Sequence, residues 1–136
     1  MKFHALRLHP GQDLKCELMN WVQKHNIKAA SVLSGLGSLE KTHIRYANAS
    51  SGVKESGHFE ILTLSGLFSI EGGHFHISIA NNFGHVFGGH LLEGNIIFTT
   101  AEITIAELTD HNFKRSFDAE TGFKELQITS KDTIND

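Results

Sequence analysis

Apolar residues fall at clear helical spacing once in this chain, at Leu14, Leu18, Trp21 and Val22. From about position 29 onward the sequence turns to β-favouring runs and period-two alternation. One short helix cannot cover much apolar surface, so its stripe must lie on a sheet built by the other segments. The pattern predicts an α+β domain: a mostly antiparallel or mixed β-sheet bent into a sandwich or half-barrel, with one main N-terminal helix and six or seven strands after it.

Local signals divide the chain further. Lys2 to His9 alternates as a first strand and is broken at Pro10-Gly11. Asp13 is placed to cap the helix, and Asn26 to end it in a left-handed conformation. Ala29 to Leu33 suits a buried strand, and Ser34-Gly35-Leu36-Gly37 predicts a turn or kink after it. Leu39 to Ala47 alternates as a half-exposed strand. His58 to Ile70 is a long β segment, with Gly57 and Gly66 as bulge positions. Glu71-Gly72-Gly73 leads into strict alternation over His74 to Ala80, Asn81 to Gly84 turns the chain again, and Ile96 to Leu108 is the last strong strand. The pattern weakens beyond Asp110. Residues 1–129 read as one domain and residues 130–136 as a flexible tail.

Composition narrows the functional classes. At 136 residues, 40% hydrophobic and 20% charged, the chain is an ordinary globular domain and not a disordered one. No apolar run approaches the roughly 18 residues of a membrane-spanning helix. The first ten residues carry no secretory pattern, and the lone cysteine, Cys16, cannot form an internal disulfide, so a reducing cytoplasm is expected. Twelve Lys and Arg against 15 Asp and Glu give a formal net charge of -3, which weighs against a partner gripped through its phosphates, although charge can be local. A phosphate-binding Gly-Lys loop, a Gly-x-Ser-x-Gly elbow and a cysteine pair for zinc are all missing from the sequence.

Ten histidines are present, and four of them, His74, His76, His85 and His90, lie between positions 74 and 90. Six of the 13 glycines lie between 72 and 94. In His74-Phe75-His76 a strand places both imidazoles on one face, with Cα atoms about 6.5–7 Å apart. His90 follows the Asn81 to Gly84 turn and can return beside them as a third nitrogen. Three neutral imidazoles with an open position suit zinc of the catalytic kind, and the same donors suit nickel, copper or iron. Gly88 and Gly89 allow close backbone approach. The plainer alternative is a polar outer face of the sheet. His85 is a further candidate whose direction the alternation leaves open. Glu60, if inward, would orient a metal-bound imidazole or act as a base; otherwise it is an exposed alternate residue. Arg7 would anchor an anionic ligand or face solvent. The other six histidines are scattered and read as surface or packing residues.

Several blocks, in order, resemble the plants-and-prokaryotes-conserved (PPC) domain. They are Ala5-Leu6-Arg7-Leu8 with Pro10-Gly11 and Asp13-Leu14, Leu33-Ser34-Gly35-Leu36-Gly37-Ser38, Phe59-Glu60-Ile61-Leu62-Thr63-Leu64-Ser65-Gly66, His74-Phe75-His76, and Gly88-Gly89-His90-Leu91-Leu92-Glu93-Gly94. The resemblance runs from about Lys2 to Ile128. It implies an α+β fold that assembles as a homotrimer, and, as in some bacterial and archaeal members, a divalent metal such as zinc held by histidines matching His74, His76 and His90. Plant members join the domain to AT-hook DNA-binding motifs, and stand-alone prokaryotic members often carry a DNA-binding label. The AT-hook core Arg-Gly-Arg does not occur in this sequence. Three readings follow: a homotrimer with a histidine metal site and a small-ligand pocket, a transcription-regulatory DNA-binding protein, and a structural protein-interaction module.

Overall fold

The computed structural model describes residues 1–130. Among these the order is β1 (Lys2–Leu8), α1 (Leu14–His25), β2 (Ala30–Arg45), β3 (Val53–Ser69), β4 (Gly72–Asn81), β5 (Val86–Leu91), β6 (Ile96–Glu107), β7 (His111–Phe117) and β8 (Lys124–Ser130). Six strands form one sheet in the order β1-β6-β2-β3-β4-β5, and β7 and β8 form a separate pair. Every pairing is antiparallel, so the expected α+β architecture holds and the mixed-sheet alternative falls away. The sheet curls until β5 meets the far end of β2, where Ile44 faces Leu91 and Arg45 faces His90. Strands β2 to β5 thus close into a ring, with β6 and β1 continuing from β2 as an open flank.

The helix forms where its signals lie. Asp13 Oδ1 accepts the Cys16 N–H at 3.0 Å, and Asp13 Oδ2 accepts the Gly94 N–H at 2.6 Å, tying the helix start to the β5–β6 turn. Asn26 adopts a left-handed φ of 53° and closes the other end. Leu14, Leu18 and Val22 are fully buried, and Trp21 packs at the edge of the core. They meet Phe68, Phe75, Ile77, Ile79, Ile97, Ile103 and Ile105 from the sheet's inner face. Each large side chain so buried contributes roughly 1.5–3 kcal/mol. Among the described residues no helix is long and apolar enough to cross a membrane.

Local expectations are corrected in part. Of the turn or kink expected at Ser34 to Gly37, the turn falls away and the kink holds: the segment lies inside the 16-residue β2, with register breaks between Val32 and Ser34 and between Gly37 and Leu39. Gly37 sits at φ +145°, and a Cβ there would strike the Thr100 carbonyl oxygen, which is why a glycine interrupts the apolar run. Gly66 pairs in register with Phe75, so it is not a bulge, whereas Gly57 does lie at a register break of β3 on β2. The weakly patterned stretch beyond Asp110 holds the β7–β8 hairpin, which brings the strands after the helix to seven, within the six or seven expected. The hairpin docks through Phe113, which is buried and whose carbonyl accepts the Ser69 hydroxyl at 2.9 Å. Ser130 belongs to β8, opposite His111; the rest of the expected tail, 131–136, lies outside the described residues.

Candidate metal centre

Alternation along β4 sends Phe75 and Ile77 into the core and leaves His74 and His76 on the outer face. On β5, Leu91 is buried and His90 points the other way. Register makes His76 and His90 direct cross-strand partners. The three rings gather, with centroids 4.8 Å apart for His74–His76, 4.8 Å for His74–His90 and 4.7 Å for His76–His90.

One nitrogen from each ring lies within 4.8 Å of the others. The Nε2 atoms of His74 and His76 are 3.1 Å apart. Two nitrogens bound tetrahedrally to one zinc at about 2.0–2.1 Å stand about 3.3 Å apart, so this pair is already at ligand spacing. The contrast with other histidines is informative. His4 is bound to the Glu107 carboxylate at 2.8 Å, His25 to the Trp21 carbonyl at 2.9 Å and His43 to the Glu93 carbonyl at 2.7 Å. His74, His76 and His90 engage one another instead of main-chain oxygens. The three nitrogens therefore form a donor set that could hold a metal ion.

Electrostatics favour the metal-competent neutral form. Partial burial lowers the His74 pKa from 6.5, and the neighbouring His76 and Arg115 lower it further. Burial also lowers that of His90, with Arg45 and then His74 adding to the effect. In the chelator-treated protein the unfolded chain then takes up protons before the folded one. Stability from these two residues is present above 6.5, declines as pH falls through 6.5, and is lost below their folded values. Urea midpoints at pH 7.5 and 5.5 should show a fall on acidification that His74→Gln/His90→Gln protein lacks in part; equal slopes would refute it.

The other sequence candidates do not join the cluster. Glu60 is exposed on β3 opposite Ala80, four residues along β4 from His76, or about 13 Å by strand rise. Arg7 is exposed on β1 opposite Glu102, with its Nε donating to the Thr100 hydroxyl at 3.2 Å. His85 lies in the β4–β5 turn, where its N–H donates to Asn81 Oδ1, at the opposite end of the hairpin from His90. Cys16 is no nucleophile: burial and the adjacent Asp13 push its thiol up to about 11, so it stays protonated at neutral pH. Two residues that sequence reasoning passed over do approach the site. Arg45 and Arg115 line a cleft of about 730 Å³ together with His74 and His90. Arg45 was hidden because its proximity depends on β2 meeting β5, and Arg115 because it stands in the weakly patterned hairpin.

Comparison with known proteins agrees with this architecture. The chain is 41% identical over 128 residues to the "Bifunctional protein GlmU" of Synechococcus sp. (strain JA-2-3B'a(2-13)), a match covering 94% of this chain and 20% of that protein. The chain thus spans about a fifth of the length of the curated relatives it matches first. The three-dimensional structure of a hypothetical protein from Salmonella cholerae-suis superposes with a TM-score of 0.93 at 35% identity, covering 96% of this chain and 94% of that one. A metal-containing protein from Archaeoglobus fulgidus superposes with a TM-score of 0.75 at 27% identity, over 93% and 94% of the two chains. Residues 1–109 match the family model of the Plants and Prokaryotes Conserved (PCC) domain, and the chain belongs to that family.

Proposed function

We propose that this chain is a homotrimeric metal-binding module in which His74, His76 and His90 hold a divalent ion, zinc by donor type, beside a cleft for a small ligand. The gathering of three otherwise uncommitted imidazoles carries the reading. The similarity to a protein described as metal-containing supports it. The trimer rests on the outer sheet face, where Leu33, Leu36, Leu62 and Phe98 stand 42–55% exposed. Such apolar exposure on a strand-rich face suits contact with further copies of the chain. A DNA-binding role has less to stand on, because the formal net charge is -3 and the Arg-Gly-Arg core is missing.

Protein prepared without an affinity tag and exposed to zinc should retain one equivalent per chain by elemental analysis. Light scattering should give a mass of three 15.0 kDa chains. Protein that stays free of metal would end the metal reading, and a 15.0 kDa particle at micromolar concentration would end the trimer.

A further inference from the structure

The imidazole cluster has an unusual border. Arg45 is the cross-strand partner of His90, and both side chains leave the sheet on the outer face, since their neighbours Ile44 and Leu91 are buried. Arg115 reaches over from β7 and donates to the Leu67 carbonyl at 3.3 Å; Leu67 is the residue paired with His74. A guanidinium thus flanks the cluster on each side. Each is held by one main-chain carbonyl, Arg45 by that of Ala49 at 3.2 Å. Among the described residues neither has a carboxylate within salt-bridge distance. Glu71 and Glu125 line the same cleft, but Glu125 accepts from the Thr121 hydroxyl instead. With Lys124, the cleft carries three cationic side chains against two carboxylates before any metal adds its charge.

That arrangement works against a bare dication. Like charges lining one partly desolvated cleft repel, and the two guanidiniums would weaken metal binding. An oxyanion between metal and guanidiniums attracts all of them and offsets their mutual repulsion. It occupies the coordination position that three imidazoles leave open, and it meets the planar donor fork of arginine, most of whose N–H groups are uncommitted here.

We infer that the cleft binds a small oxyanion, a carboxylate or phosphoryl group on a small molecule, which bridges the metal held by His74, His76 and His90 to the guanidiniums of Arg45 and Arg115. The inference rests on the metal reading above and names the ligand class of that site. It also replaces Arg7 as the anion anchor, because Arg7 stands across the sheet on β1. Reciprocity makes it testable, since an anion that binds better with metal present must tighten metal binding by the same factor.

The test uses the full chain loaded with cobalt(II), whose visible absorption reports its coordination. Cobalt affinity is measured alone, with succinate and with phosphate. We expect at least one of the two anions to shift the absorption bands and tighten cobalt binding about tenfold or more, and the stronger one identifies carboxylate or phosphoryl as the preferred head group. Arg45→Gln and Arg115→Gln proteins should bind cobalt alone at least as tightly as wild type, yet lose most of the enhancement. Failure to take up cobalt would overturn the metal reading and this inference with it. Uptake with no response to either anion would overturn the oxyanion inference alone. An enhancement undiminished in both arginine variants would overturn the assignment of the anchors.

Discussion

Replacement of His90 by alanine is expected to weaken zinc binding more than about 100-fold while leaving the fold intact. Substitutions that merely disturb the groups behind a ligand cost about 10–100-fold in metal affinity, and removal of a ligand costs more. His90 is also the nitrogen that His74 and His76 cannot supply for themselves. Those two share β4, with Nε2 atoms 3.1 Å apart, whereas His90 arrives from the neighbouring strand. Its side chain is not part of the hydrophobic core, so alanine opens no interior cavity. A competition titration against a chromophoric chelator measures the loss, with circular dichroism as the check on folding. His85→Ala belongs to the same hairpin and should bind zinc as wild type does. Equal binding by His90→Ala and wild type, or equal losses from both variants, would remove His90 from the ligand set.

Gly88→Ala is expected to cost about 3 kcal/mol of stability and to impair zinc binding although all three histidines remain. A methyl group at this position would strike the Ile77 carbonyl oxygen and lie 3.0 Å from the Ser78 Cα. Both belong to the backbone of β4, which cannot rotate aside as a side chain would. Strand β5 would have to lift away, and His90 stands two residues further along it, opposite His76. Urea unfolding and the same titration give the two readings. A variant with an unchanged unfolding midpoint and wild-type zinc affinity would show that the close contact between β4 and β5 is not needed.

The parts of the fold that could be read from sequence are those whose signals are local. Asp13 and Asn26 bound a helix with three fully buried positions, and strict alternation over residues 74–80 fixed the direction of both β4 histidines. His90 could be paired with them because one short turn separates the strands, so the register follows from loop length. What escaped depends on long-range pairing. Arg45 reaches His90 only because the sheet closes on itself, and Arg115 only because a hairpin with a poor apolar pattern docks through Phe113. For Glu60 and Arg7 the sequence left an inward and an exposed alternative open, and the structure sets both on the exposed face. Of the turn or kink expected at Ser34 to Gly37, only the irregularity within a strand forms, because glycines that mark turns in isolation also serve long strands that cross close to a neighbour.

The meeting of β2 with β5 has a kinetic consequence. It joins Arg45 to His90 across 45 positions of chain, so it belongs to the non-local contacts that a polypeptide forms slowly, after the entropy of loop closure has been overcome. During refolding, the β4–β5 hairpin can bring the three imidazoles together early, while the flanking guanidinium from β2 arrives only when the ring shuts. On the reading proposed above, a chain caught before that moment would carry the imidazole cluster without its Arg45 neighbour, and anion preference would be acquired later than the capacity for metal.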